Sequence, residues 1–264
     1  SPARRRMSVD YVLEGDVAII TLNRPDRYNA IEATLGEGLI SATDRAGDEA
    51  RAIVLTGAGK AFCSGADLNE LMSDYESGAG PDLALLLENV FHPALRALLD
   101  SKVPVIGALN GVAAGAGLGL ALACDLRVMA DDAFLTSAFT AIGLVPDSGT
   151  TWWLSHHLGV SRALEIAFTN RRVGAKESRE LGLCLDVVPG DQLLDRALSL
   201  AGQIADLVPD SLVTSRRLIR DASGLSLEVA LRAEQAEQGR LGRTPEHREG
   251  VMAFIEKRKP DFRV

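Results

Sequence analysis

Residues 103–124 read VPVIGALNGVAAGAGLGLALAC, a run with no charged side chain. Its length alone fits a membrane span, which takes about 20 apolar residues. Two features break the run. Pro104 removes a backbone donor near its start, and the pair Asn110-Gly111 is a turn signal in its middle. What remains is a short buried strand, VIGAL, followed by a small-residue helix, GAGLGLALAC. The stretch therefore reads as the deep core of a globular α/β protein with no membrane segment.

Working outward, the same alternation recurs. YVLEGDVAIITLN (11–23) has two apolar runs around Glu14, Gly15 and Asp16, a β-hairpin signal. A helix is expected over 30–47, then a buried strand in RAIVLTGAG (51–59). A short helix opens at SGADLNELM (64–72), with Asp67 in its first turn, and GAGPD (78–82) is a break. An amphipathic helix over 82–100 is kinked or restarted at Pro93. Beyond the central run come the strands DLRVMA, AFLTS and CLDVV, with helices around 149–157, 160–168 and 175–181. From Gln192 onward the pattern is helical, interrupted at 208–210, 223–224 and 243–246. The fold class is α/β, divided into a core over 8–205 and a helical C-terminal region over 206–264.

The chain carries 28 Lys and Arg against 36 Asp and Glu. A net charge of −8 argues against a nucleic-acid groove, which needs clustered cations. Cys63, Cys124 and Cys184 lie far apart with no CxxC pair, as expected of reduced, buried thiols in a cytoplasmic protein. His156 and His157 are adjacent, so they point apart on a helix, and no metal-ligand spacing appears. SPARRRM at the start lacks an apolar segment behind it, so it reads as a solvated basic tail.

Several motifs fail on context. GAGLG (115–119) is not GxGxxG and does not follow its strand directly, and TGAGKAF lacks the Ser or Thr of a phosphate loop. No GxSxG is present. The glycines still need a cause. Tight packing is one. The other is close approach of a ligand oxygen to unpaired backbone N–H groups at a helix start. FCSGADL (62–68) and NGVAAGAGLGL (110–120) are alike in this, and two N–H donors converging on one oxygen make an oxyanion hole. In GLVPDSG (143–149), Asp147 is either the cap of the following helix or an acid/base.

Taken in order, ITLNRPDRYNAI (20–31), AIVLTGAGKAFCSGADL (52–68), KVPVIGALNGVAAGAGLGLALACDLRVMADDAFL (102–135), IGLVPDSGTTWWL (142–154) and EGVMAFIEKRKPDF (249–262) resemble the enoyl-CoA hydratase/isomerase (crotonase) superfamily. The resemblance implies a spiral of repeated ββα units, C-terminal helices that build a homotrimer or hexamer, and an acyl-CoA thioester as substrate. No covalently bound cofactor or metal is expected, and coenzyme A enters only as part of the substrate. The family pattern puts the oxyanion-hole donors at Ala66 and Ala116. It puts CoA contacts at Arg24, Arg27, Ala30, Ser64, Asp67 and Leu68, and at Phe254 and Lys257 near the chain's end. Tyr28 is a further candidate for the CoA or acyl wall.

The two glutamates with which hydratases of this family add water fall on Gly119 and Phe139, neither acidic. Asp147, eight residues after the second of them, matches an acid used by family isomerases. The string AFTAIGLVPDSGTTWWL is most similar to the phenylacetate-pathway isomerase subgroup. The resemblance thus implies an isomerase of unsaturated or aryl-acetyl-CoA thioesters. Asp147 would carry the proton, its carboxylate desolvated by neighbours such as Phe139, Val145 and Trp152. A hydratase and a non-catalytic acyl-CoA-binding protein are the alternatives. His92 is either a second proton donor or a structural histidine. Trp152 and Trp153 are core or pocket wall, and Asp125 is expected to make structural hydrogen bonds.

Overall fold

Two-residue turn chemistry starts the first sheet. Gly15, at φ +58°, and Asp16 join β1 (Val9–Glu14) to β2 (Val17–Leu22) as an antiparallel hairpin. The computed structural model describes residues 7–78 and 80–263, so the Arg triplet read as a solvated tail lies outside the described residues. Helix α1 (Ala33–Glu49) follows, its first N–H groups capped by the Glu32 carboxylate. Next come β3 (Ala52–Gly57), β4 (Ala61–Cys63), a 3₁₀ turn (Leu68–Leu71), α2 (Met72–Glu76), α3 (Leu83–Leu86) and α4 (His92–Leu99). The middle of the chain holds β5 (Val105–Leu109), β6 (Val112–Ala114), α5 (Ala116–Ala123), β7 (Leu126–Ala130) and β8 (Phe134–Thr136). Helices α6 (Thr150–Leu158) and α7 (Val160–Thr169), β9 (Val173–Gly174), α8 (Ala175–Glu180), β10 (Asp186–Val188) and α9 (Leu193–Ala205) complete the core. Three helices end the chain: α10 (Pro209–Ala222), α11 (Leu227–Leu241) and α12 (Pro245–Glu256).

The strands form two sheets, ordered β1-β2-β3-β5-β7-β10 and β4-β6-β8-β9. In each of the pairs β3–β4, β5–β6 and β7–β8 the first strand enters the larger sheet and the second the smaller. Each pair repeats the last, which is the expected spiral of ββα units. Within the larger sheet, β2 through β10 are parallel, and β5 is buried along its whole length. This is why VIGAL shows no alternation. Leu193, Ala197, Ala201 and Ala205, four apart, are the buried stripe of α9, which packs on β3, β5 and β7. Periodicity missed β4, β6 and β9, because strands of two or three residues are too short to show one.

The 103–124 run is thus β5, β6 and α5, and among the described residues no helix is long and apolar enough to cross a membrane. All three cysteines are free and buried, and burial pushes the Cys63 and Cys124 thiols up to about 12. Asp125 does the structural work expected of it. Its carboxylate accepts the Val105 N–H at 2.9 Å and holds Arg216 and Arg220 of α10 at 3.1 and 2.9 Å. That triad ties α10 to the core.

Candidate active site

The two small-residue segments meet. Ile31 and Ala66 form a parallel bridge, in which Ile31 N–H donates to Gly65 C=O and Asp67 N–H donates to Ile31 C=O. That pattern turns the N–H of Ala66 away from Ile31. Gly65, at φ +95°, presses against the second segment: a Cβ there would lie 2.9 Å from Ala114 O and 3.3 Å from Ala116 N. Only glycine allows both the backbone angle and the approach. Ala116 is the first residue of α5, where an N–H has no intrahelical acceptor. Neither the Ala66 nor the Ala116 N–H has a backbone partner among the described residues. Two free donors on abutting segments suit an oxygen that gains negative charge.

Around these donors, the residues expected to touch CoA divide into two groups. Arg24, Ala30 and Asp67 hold one another. Arg24 donates to Ala30 O at 2.6 Å and pairs with the buried Asp67 carboxylate at 2.9 Å, and Asp67 also caps the 3₁₀ turn through Asn69 N. Arg27, Tyr28 and Leu68 are exposed, and Ser64 is half-buried, beside that frame. Sequence reasoning missed Asn29. It is fully buried at φ +55°, accepts the Arg24 N–H and donates to Ala58 O and Ala61 O, so it folds the first motif onto β4. An Asn two residues after a charged turn, able to take positive φ, was the available signal.

Asp147 does not cap α6. The N-cap of that helix is Gly149, with no side-chain cap bond. Asp147 O instead accepts Thr150 N–H at 2.8 Å, closing a turn whose central residues, Ser148 and Gly149, have φ of +50° and +76°. Both values are positive, as in a type I′ turn. The turn is wedged between two helices. A Cβ on Gly119 of α5 would lie 2.7 Å from Ser148 Cβ and closer still to the Ser148 carbonyl oxygen. A Cβ on Gly149 would touch Leu95 of α4 at 3.6 Å. Ser148 Oγ–H donates to Asp147 Oδ1 at 2.8 Å. Burial raises the Asp147 carboxyl above its ordinary value, while the Ser148 hydrogen bond and the charge of His92 draw it part of the way back.

The three residues expected to desolvate Asp147 differ in burial. Phe139 is buried, with its ring against Gly115. Val145 is 77% exposed, unlike a residue of a buried wall. Trp152 stacks on His156 and, with the largely buried Trp153 and Gly149 of the Asp147 turn, lines a groove of about 800 Å³ against α4 and α10. His92 is not a satisfied structural histidine. It is exposed, and its side chain makes no hydrogen bond or ion pair among the described residues. Phe254 lines the edge of a groove of about 820 Å³ among α10, α11 and α12, apart from the 64–68 segment, and Lys257 is the C-cap just beyond α12.

The model of the family described as Enoyl-CoA hydratase/isomerase matches residues 13–264. The chain belongs to the enoyl-CoA hydratase/isomerase family. A Rhodobacter capsulatus protein named "Probable enoyl-CoA hydratase" is 38% identical over 97% of both chains. The 1,2-epoxyphenylacetyl-CoA isomerase of Escherichia coli is 37% identical, covering 95% of this chain and 96% of its own. A crystal structure of an enoyl-CoA hydratase from Polaromonas sp. JS666 superposes with a TM-score of 0.90 at 32% identity, covering 97% of this chain and 99% of that one. The fold is the crotonase fold. Relatives named for hydration and for isomerisation stand at nearly the same identity, so the difference between them has to be sought in the site. At the two places where the family pattern puts hydratase glutamates, this member has Gly119, covered by the Ser148 backbone, and the buried ring of Phe139.

Proposed function

We propose that the protein is an isomerase of unsaturated or aryl-acetyl-CoA thioesters. The observation that carries the reading is the seating of the Asp147 turn on Gly119. The space a hydratase glutamate would need is filled by the segment that carries a different carboxylate. The thioester oxygen accepts the Ala66 and Ala116 N–H groups. Asp147 removes a proton from a carbon next to the unsaturation, the electron pair spreads onto the thioester oxygen as a dienolate, and a proton returns at another carbon. The free donors hold the negative oxygen, and loss of one such donor costs about 3 kcal/mol in related chemistry. Partial burial makes the carboxylate a stronger base than an exposed aspartate.

The CoA moiety rests on the face formed by Arg27, Ser64 and Leu68, with Arg24, Ala30 and Asp67 as its frame. Phe254 is 85% exposed and Ile219 74% exposed, on helices that bury only Ala253 and Thr214. Apolar side chains in that state suit a homotrimer or hexamer, in which Phe254 and Lys257 reach the CoA of a neighbouring subunit.

A panel of acyl-CoA thioesters incubated in D₂O tests the reading. The expected product has an unchanged skeleton, carries deuterium and has gained no water. A mass gain of one water would make the protein a hydratase, the reading favoured by the names of several relatives. Binding with no exchange of any carbon-bound hydrogen would leave only an acyl-CoA carrier.

A further inference from the structure

We propose that His92 is a second catalytic residue of this site, delivering a proton to the carbon opposite the one that Asp147 deprotonates. The inference rests on the isomerase reading above. Three features of the fold carry it.

The first is how the helix presents His92. Residues Leu87–Phe91 form a π-turn, in which His92 N–H bonds Leu87 O five residues back, and Pro93 follows directly. Proline has no N–H and its ring clashes with the carbonyl four residues earlier, so the wider turn is the local solution. It rotates His92 relative to a regular helix and starts α4 anew. The second is which way that face looks. His92 and Leu95 are three apart and share a face of α4. Leu95 is the α4 residue that reaches Gly149 of the Asp147 turn, beside Trp153 of α6. Among the described residues, a positive charge on His92 would favour the ionised form of the Asp147 carboxyl. The third is vacancy. Ser148 occupies Oδ1 of Asp147, and no described group hydrogen-bonds its other oxygen or the His92 ring. An exposed imidazole without a structural partner, one helical turn from a contact with the catalytic turn, is free to exchange protons with solvent.

The step balances without an outside reagent. Asp147 takes a proton from one carbon and becomes a carboxylic acid, leaving a dienolate. The His92 imidazolium gives its proton to the other carbon and becomes neutral. The carboxylic acid then passes its proton to the imidazole, directly or through water, restoring both groups.

Label transfer tests this. A substrate carrying deuterium at the carbon to be deprotonated is isomerised in ordinary water. With two groups, the delivered proton comes from His92 and the product retains little of the label at its new position. In His92→Gln the rate should fall about 100-fold, with KM and thermal midpoint near those of the parent. The remaining turnover should run through Asp147 alone, so the fraction of label carried across should rise. A His92→Gln protein with parental rate and parental label distribution would overturn the proposal, as would extensive label transfer in the parent. Asp147→Asn separates the two levels of inference. If it isomerises like the parent, Asp147 is not the proton carrier and the mechanism on which the role of His92 rests fails. If it is inactive while His92→Gln is unaffected, only the role of His92 fails.

Discussion

In the proposed site, Ala66 and Ala116 offer main-chain N–H groups, whereas Asp147 offers a side chain. The donor pole depends on backbone path, fixed by Gly65 at φ +95° and by the bridge from Ile31 to Ala66. The acid/base pole depends on residue identity: a carboxylate, the hydroxyl that holds it, and a glycine that leaves it room. Substitution should therefore act very differently at the two ends of one small site.

The largest effect is expected from Asp147→Asn. Activity should fall about 1,000-fold, with binding of the CoA ester retained. The same substitution should raise the thermal midpoint at neutral pH. A carboxyl whose folded-state pKa is raised binds its proton more tightly in the folded protein, so its contribution is most favourable below the unfolded value. That contribution is lost as pH climbs through the raised one. Asparagine removes the cost of the half-buried charge, and the gain should vanish at acid pH, where Asp147 is protonated in both states. A lower midpoint at neutral pH would mean that another group compensates the charge.

Next in size is Gly119→Glu, which places a glutamate where hydratases of the family carry one. In this chain the side chain would meet the backbone of Ser148. Overpacking of this kind costs about 1–3 kcal/mol, and relief requires the Asp147 turn to move. Isomerisation should drop about 100-fold, an effect of the size seen when catalytic groups are misplaced by an ångström. Efficient hydration at unchanged stability would break the claim that the two carboxylate positions exclude each other.

How much of this was legible in the sequence follows the same division. The α/β alternation and nearly every longer element could be read from apolar period, because β3, β5 and α9 each bury a continuous run or a regular stripe. The donor pole could be suspected from paired small-residue segments, but not located, since any residue supplies an N–H. Asp147 was visible as a residue and misleading as a cap. Asp and Ser before a helix are a capping signal, yet positive φ at Ser148 and Gly149 turns the carboxylate away from α6. The contact between Gly119 and Ser148, 29 positions apart, has no local trace. The state of His92 has none either, because a histidine before proline reads the same whether its ring is buried or free.

Ser148→Ala sharpens the acid/base pole by a smaller amount. The hydroxyl donates to Asp147 Oδ1 and favours the ionised form. Without it the carboxyl pKa should rise further, so the acid limb of the rate profile should shift to higher pH. At neutral pH the loss should be about 10-fold, most of it from poorer orientation of the carboxylate. Residue 148 adopts φ +50°, a strained angle for alanine as for serine, so the variant isolates the hydroxyl rather than the backbone. An acid limb that stays in place would remove Ser148 from the account of how the carboxylate is tuned.

The smallest effect belongs to the donor pole, at Ala66→Ser. The group proposed to act there is the N–H, which serine also has. The bonds that set its direction are Ile31 N–H to Gly65 O at 2.7 Å and Asp67 N–H to Ile31 O at 3.0 Å, and they involve no side chain of residue 66. Ala66 is only half-buried, so one added oxygen finds space or water. Its turnover should stay within about threefold of the parent, a small fraction of what losing an oxyanion donor costs. Gly65, one position earlier, is the control. An added Cβ there meets Ala114 O at 2.9 Å and an unfavourable φ, so Gly65→Ala should bend the path that aims the neighbouring N–H. If Ala66→Ser were as damaging as Gly65→Ala, the side chain at 66 would matter in its own right. The donor pole would then no longer be a backbone device, and the contrast between the two ends of the site would collapse.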